Sequence, residues 1–192
     1  MLLDFSREEP WSIGTSIFRE LLIKTAATEQ LGREVRSATG ELITRRRQIV
    51  ALDLLAADCM GVIALYQIGA IRLVPELDLP GLDADTVDGS AEAYGLLSVG
   101  DAFLGFVSYG VTMLLAAMGG ARRHERHPYV PLAMAGKAAV DAAQAARLSV
   151  DQWRLHRAFC SWCLTAAAAT FMMVPLVLPE ARAALKQFRS RL

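Results

Sequence analysis

The residues best suited to chemistry are Cys160 and Cys163, in the run Cys160-Ser161-Trp162-Cys163. On a helix this spacing puts both sulfurs on one face, close enough to form a disulfide. At the start of a helix the backbone dipole favours thiolate, the species that attacks disulfides and reduces electron acceptors. His156 and Arg157 precede the pair and are expected to add positive charge on nearly the same face. The plainer alternative is two small buried apolar residues that happen to share this spacing. Leu164 rather than histidine follows Cys163, which excludes haem attachment. His124 and His127 could complete a Cys2His2 zinc site with the cysteines, if the chain brought the two pairs together.

Other ionisable residues stand inside apolar runs. Asp101 is expected about two helical turns below an outer face, level with Cys163, where the two would border a pocket for a polar-headed lipophilic molecule. A helix-packing acid bonded to a neighbouring backbone is the alternative. Asp53 and Asp58 must face other helices, and Asp53 is expected to form a buried structural pair with Lys137.

Four apolar runs would carry these residues: 48–71, 94–118, 130–148 and 158–178. Each approaches bilayer length, and the last has no charged residue. The connecting segments alternate in charge. Arg45, Arg46 and Arg47 precede the first run, and the next loop carries Glu76, Asp78, Asp83, Asp85, Asp88 and Glu92 with no Lys or Arg. Arg122, Arg123 and Arg126 follow the second run, and Arg182, Lys186, Arg189 and Arg191 follow the fourth. This pattern predicts an all-α, multi-pass integral membrane four-helix bundle with both termini cytoplasmic. The cysteines then lie near the extracytoplasmic face, and His124 and His127 near the other, which removes the zinc site. Arg154 and Arg157 outnumber Asp151 before the fourth run, against the pattern. The domain reading is an N-terminal amphipathic helical extension (1–44, helical from 15), a membrane domain (45–180) and a basic cytoplasmic tail (181–192). The soluble alternative is a four- or five-helix bundle with alanine-rich packing.

Composition agrees. Of 192 residues 54% are hydrophobic, too many for a disordered chain. Twenty basic residues balance twenty acidic ones, so nucleic acid is excluded as a partner by charge. Three cysteines cannot staple a small secreted module. Arg7, Glu8, Glu9 and Pro10 interrupt the first apolar residues, so no cleavable signal peptide is read and the spans must direct insertion.

In order, the acidic loop, Val87-Asp88-Gly89-Ser90, Gly100-Asp101-Ala102-Phe103-Leu104-Gly105 and Cys160-x-x-Cys163 resemble the vitamin K epoxide reductase family over about residues 45–180. The resemblance implies a four-helix membrane enzyme that couples thiol–disulfide exchange to a quinone, ubiquinone or menaquinone. It implies that Cys163 faces the quinone, that Cys160 exchanges disulfides, and that Ser90 and Asp101 bind the quinone, Asp101 where asparagine is usual. The family's further cysteine pair is missing from 75–92, and Cys59 cannot replace it at mid-span. A thioredoxin-like or other dithiol partner would then have to meet Cys160 directly. Ala167 stands where some relatives carry an aromatic residue. The competing readings are a non-enzymatic membrane subunit that keeps the fold and perhaps the pocket, and a soluble metal-binding bundle.

Overall fold

The computed structural model describes residues 28–95 and 98–190. The chain divides into two compact units, one ending at Ala38 and the other beginning at Thr39. Within the first, residues 28–37 form a helix, α1. The rest of the expected N-terminal helix, from residue 15 to 27, lies outside the described residues.

The second unit is helical throughout its described elements. It contains α2 (Glu41–Gln67), α3 (Ala84–Asp88), a 3-10 turn (Ala91–Tyr94) and α4 (Asp101–Ala117). After these come α5 (Arg123–Arg126), α6 (Tyr129–Asp151), a π-helical turn (Gln152–His156) and α7 (Ser161–Arg189). The long helices pack α2 on α4 and α7, and α6 on α7 and α4. Small residues permit close approach: Ala166, Ala169 and Thr170 of α7 are buried, with Ala56 and Ala57 of α2. Gly105 lies against Met60, where a Cβ would stand 3.1 Å from its sulfur, and a Cβ on Gly100 would collide with the Gln67 amide. Both glycines of the second-run motif therefore mark where α4 closes on α2.

α2 and α7 are long and apolar enough to cross a bilayer, at about 40 Å each. α4 is apolar but has only 17 residues. Its exposed face carries Phe103, Phe106, Val107, Val111 and Leu114, an apolar stripe at helical spacing. Inside the same unit Asp53, Thr112, Arg123 and Thr170 are buried. An apolar outside around a partly polar inside suits lipid better than water.

Three expectations change. The second run does not begin its helix at Tyr94: α4 starts at Asp101, which therefore sits at the helix mouth rather than two turns down. Asp58 is exposed while Asp53 is buried. Five residues apart on a helix they point about 140° from each other, so both could not face inward. Lys137 does not pair with Asp53. It bonds Asp141 at 2.5 Å and Ser108 at 3.0 Å, and both Asp53 oxygens lack a hydrogen-bond partner among the described residues. The acid one turn away on α6 is always within reach, and it outcompetes an acid on another helix.

Candidate active site

Cys160 is the N-cap of α7, and its sulfur accepts the Cys163 N–H at 3.3 Å. Cys163 follows in the first turn, so the expected spacing does bring the sulfurs together. Both are thiols, and with a carboxylate oxygen of Asp88 they lie within 4.8 Å of one another. The helix begins only at Ser161 because the π-helical turn ends in Arg157, which is left-handed at φ 55 and ψ 22. Of the two residues expected to bring positive charge beside the sulfurs, Arg157 lies over the Trp153 ring instead, while His156 lines the cavity that Cys163 borders.

An acid occupies that place. The Cys163 thiol donates to Asp88 Oδ1 at 3.5 Å. Asp88 ends α3, is 3% exposed, and its Oδ2 has no partner among the described residues. Burial pushes its carboxyl up to about 6; hydrogen bonds from both cysteines pull the other way, and Asp101 and Glu76 add to the rise. Asp83, at the other end of α3, is exposed and held below its usual range by hydrogen bonds from Thr86.

The acidic segment after α2 covers the start of α7 through one carboxylate. Glu76 accepts the Ser161 N–H at 2.6 Å and the Ala84 N–H at 2.7 Å, so it caps α7 and α3 together. Trp162 donates its indole N–H to the Pro75 carbonyl at 2.7 Å. Phe159 and the loop exchange two backbone bonds, Asp83 N–H to Phe159 O at 3.0 Å and Phe159 N–H to Gly81 O at 2.9 Å. Behind these contacts Cys160 is 0% exposed.

Cys163 instead borders a cavity of about 740 Å³ that is also lined by Asp88, Ser90, Asp101, Tyr109 and Ala167. Asp101 accepts the Gln67 amide N–H at 2.8 Å, and Gln67 Oε1 accepts the Ala102 N–H at 3.2 Å. Ser90 donates to the Val87 carbonyl at 2.9 Å. The structure thus brings Cys163, Ser90 and Asp101 to one cavity and leaves Cys160 behind it. His124 bears on α5, whose neighbour Arg123 bonds Glu180, about 30 Å along α7 from the cysteines.

A family model described as the vitamin K epoxide reductase family matches residues 48–178. The chain belongs to the vitamin K epoxide reductase family. The match spans most of α2 through most of α7, including both cysteines of the pair, the acidic segment and α4. Comparison with the curated proteins finds no match. Family membership and two bilayer-length helices together make this a membrane protein of a redox family whose members are generally reductases.

Sequence reasoning passed over three residues of the site. Asp88 stood within the Val87-to-Ser90 motif, Gln67 lay inside the first apolar run, and Glu76 was counted only as loop charge. The first was visible as an acid beside small residues. Glu76 acts through backbone N–H groups and Gln67 through the Asp101 carboxylate and backbone groups, contacts between distant segments that leave no pattern in the sequence.

Proposed function

We propose that this protein is a membrane thiol–quinone oxidoreductase, taking electrons from a partner dithiol through Cys160 and Cys163. The observation that carries the reading is that Cys163, but not Cys160, borders a cavity shared with Ser90 and Asp101. The cavity suits a quinone in volume, and Ala167 leaves free the space an aromatic side chain would fill. Among the polar groups that line it, the Ser90 hydroxyl can accept, or donate by giving up its bond to the Val87 carbonyl, and Asp101 donates only when protonated. A ubiquinone or menaquinone bound there takes up two electrons and two protons as the dithiol closes to a disulfide.

For the other half-reaction a partner thiolate attacks Cys160, the Cys160–Cys163 bond breaks, and the mixed disulfide is resolved by the partner's second thiol. Two protein thiols and an oxidised partner result. A thioredoxin-like protein or a small dithiol fits this role, since residues 75–92 supply no cysteine. Because Cys160 is fully covered, the Gly81–Asp83 and Phe159 contacts must open before a partner can reach it.

The same reading assigns four spans, with α4 and α6 beside α2 and α7, and both termini cytoplasmic. Arg46 and Arg123 at one end and the cysteines at the other support that orientation. We assign residues 1–44 to an N-terminal extension, 45–180 to the membrane domain and 181–192 to a basic cytoplasmic segment. The covered Cys160 favours, as a second reading, a subunit that keeps the quinone pocket without turnover.

Purified full-length protein should catalyse quinone-dependent oxidation of a dithiol, and Cys163→Ala should abolish it. Activity that survives Cys163→Ala overturns the mechanism. No turnover, with a quinone still bound, selects the subunit reading.

A further inference from the structure

Asp88 is a buried carboxylate whose side-chain hydrogen bond, among the described residues, comes from a thiol. Cys163 donates to Oδ1 at 3.5 Å, Cys160 also lies within 4.8 Å, and Oδ2 has no partner among the described residues. The groups facing it bring little compensation. α4 offers Asp101, the acidic segment Glu76, and α2 the Tyr66 hydroxyl and the Gln67 amide, which is bonded to the Asp88 backbone carbonyl and to Asp101. α6 adds Asp141, Arg147 and Asp151 to the cavity wall and the π-helical turn adds His156. Asp88 forms no ion pair with any of them.

A thiol pair can donate hydrogen bonds, whereas a disulfide cannot. When the sulfurs join, both S–H groups are lost and Asp88 keeps its burial and its acidic neighbours. A carboxylate in that position is best relieved by taking a proton. We propose that Asp88 takes up the Cys163 thiol proton when Cys160 and Cys163 close to a disulfide, and returns it on reduction. The inference rests on the dithiol–disulfide reading of the pair given above, but not on the quinone.

The balance is as follows. Two S–H bonds break, one S–S bond forms, and two electrons leave for the acceptor. The Cys160 proton goes to the acceptor and the Cys163 proton to Asp88. An acceptor in solution, such as oxidised glutathione, draws its second proton from water. An acceptor seated in the cavity draws it from Asp88, which borders the same space. Asp88 touches the reacting sulfur and is on this assignment a catalytic residue.

Proton uptake on oxidation has a thermodynamic signature. Exchange between an isolated dithiol and oxidised glutathione carries equal protons on both sides, so its equilibrium constant does not change with pH while all thiols stay protonated. With Asp88 binding one more proton in the disulfide form, the constant falls tenfold for each unit rise in pH. The fall begins near 6, the value reached by Asp88 beside the thiols, and ends where Asp88 ionises in both forms.

The test is a redox titration of the full-length protein in detergent micelles against glutathione, from about pH 5 to about 8, read by acid quench and alkylation gel shift. Cys59, buried and outside the pair, gives a constant reference shift. The wild type should lose oxidised fraction with the tenfold slope, and Asp88→Asn should give a flat line. A flat wild type, or an equal slope in Asp88→Asn, overturns the proposal. Should Asp88→Asn fail to fold, infrared redox-difference spectra of the wild type decide: a carboxylic acid C=O band must appear on oxidation, and its absence is refutation. Since no quinone is present, a slope without quinone turnover would sink the function proposed above and leave Asp88 standing; turnover with a flat line would do the reverse.

Discussion

Replacing Glu180 by glutamine takes away the carboxylate that two buried guanidinium groups grip. Glu180 of α7 accepts Arg123 Nε at 2.9 Å and Nη2 at 2.8 Å, and also bonds Arg46 of α2. All three side chains are buried, Arg123 completely. Further guanidinium protons go to carbonyls at the end of α4 and just beyond it, Arg123 to Leu115, Ala116 and Met118 and Arg46 to Gly120, while Arg46 Nε has no partner among the described residues. Those dipoles favour a cation, but two cations with one anion already leave an excess positive charge. Breaking a buried pair by removing one partner costs about 3–5 kcal/mol. At roughly 2–4 °C per kcal/mol for a chain of this size, Glu180→Gln should lower the melting temperature by about 6–20 °C. Circular dichroism melts of the micellar protein read this directly. Adding Arg46→Met to Glu180→Gln removes one of the two cations then left unpaired and should recover part of the loss, a positive coupling that independent sites would not show. A fall of less than about 3 °C, or simple additivity, refutes the view that Glu180 clamps α2, α5 and α7 together.

Two further outcomes follow from the site. Ala167→Phe fills cavity space beside Cys163, so the KM for quinone should rise at least about tenfold while the glutathione equilibrium of the cysteine pair stays put; an unchanged KM would place the substrate elsewhere. Glu76→Gln keeps one acceptor oxygen where two N–H groups now bond, so the cover over Cys160 should loosen by about 1 kcal/mol and peptide-resolved maleimide alkylation of Cys160 should quicken roughly fivefold. Equal rates in the two proteins would show that Glu76 does not hold the cover.

Much of the helical frame was legible because the apolar runs are long and the turns between them are polar. The boundaries were less so. Apolar residues continue from Tyr94 toward Asp101, but the 3-10 turn ends at Gly95, and the helix waits for Asp101 after Gly100. Arg46 and Arg123 also escaped a count of loop charges. They read as solvated cytoplasmic residues, yet both are buried on Glu180, a residue far away in sequence. Basic residues near a span's end report orientation through their number, and number says nothing about which of them the fold draws inward. Asp53 shows the same limit from the other side. Its burial follows from its place in an apolar run, but its partner does not, because the charge on Lys137 was already taken within α6.

At the cysteines the spacing was enough to bring the sulfurs together, since three residues on one turn leave little freedom. Their electrostatic surroundings were not legible, because these depend on which loop lies across the helix start. The sequence offered His156 and Arg157 before the pair, and Arg157, left-handed, lies over Trp153 instead. The structure offers a carboxylate that arrives from α3, with Glu76 already on the Ser161 N–H. The carboxylate provides a place for the Cys163 proton once the electrons have gone, which a cation there could not do. For a pair whose Cys160 is wholly covered and whose Cys163 borders the cavity, a proton acceptor on the same cavity is the more useful neighbour, because it takes up the proton without leaving a charge on sulfur.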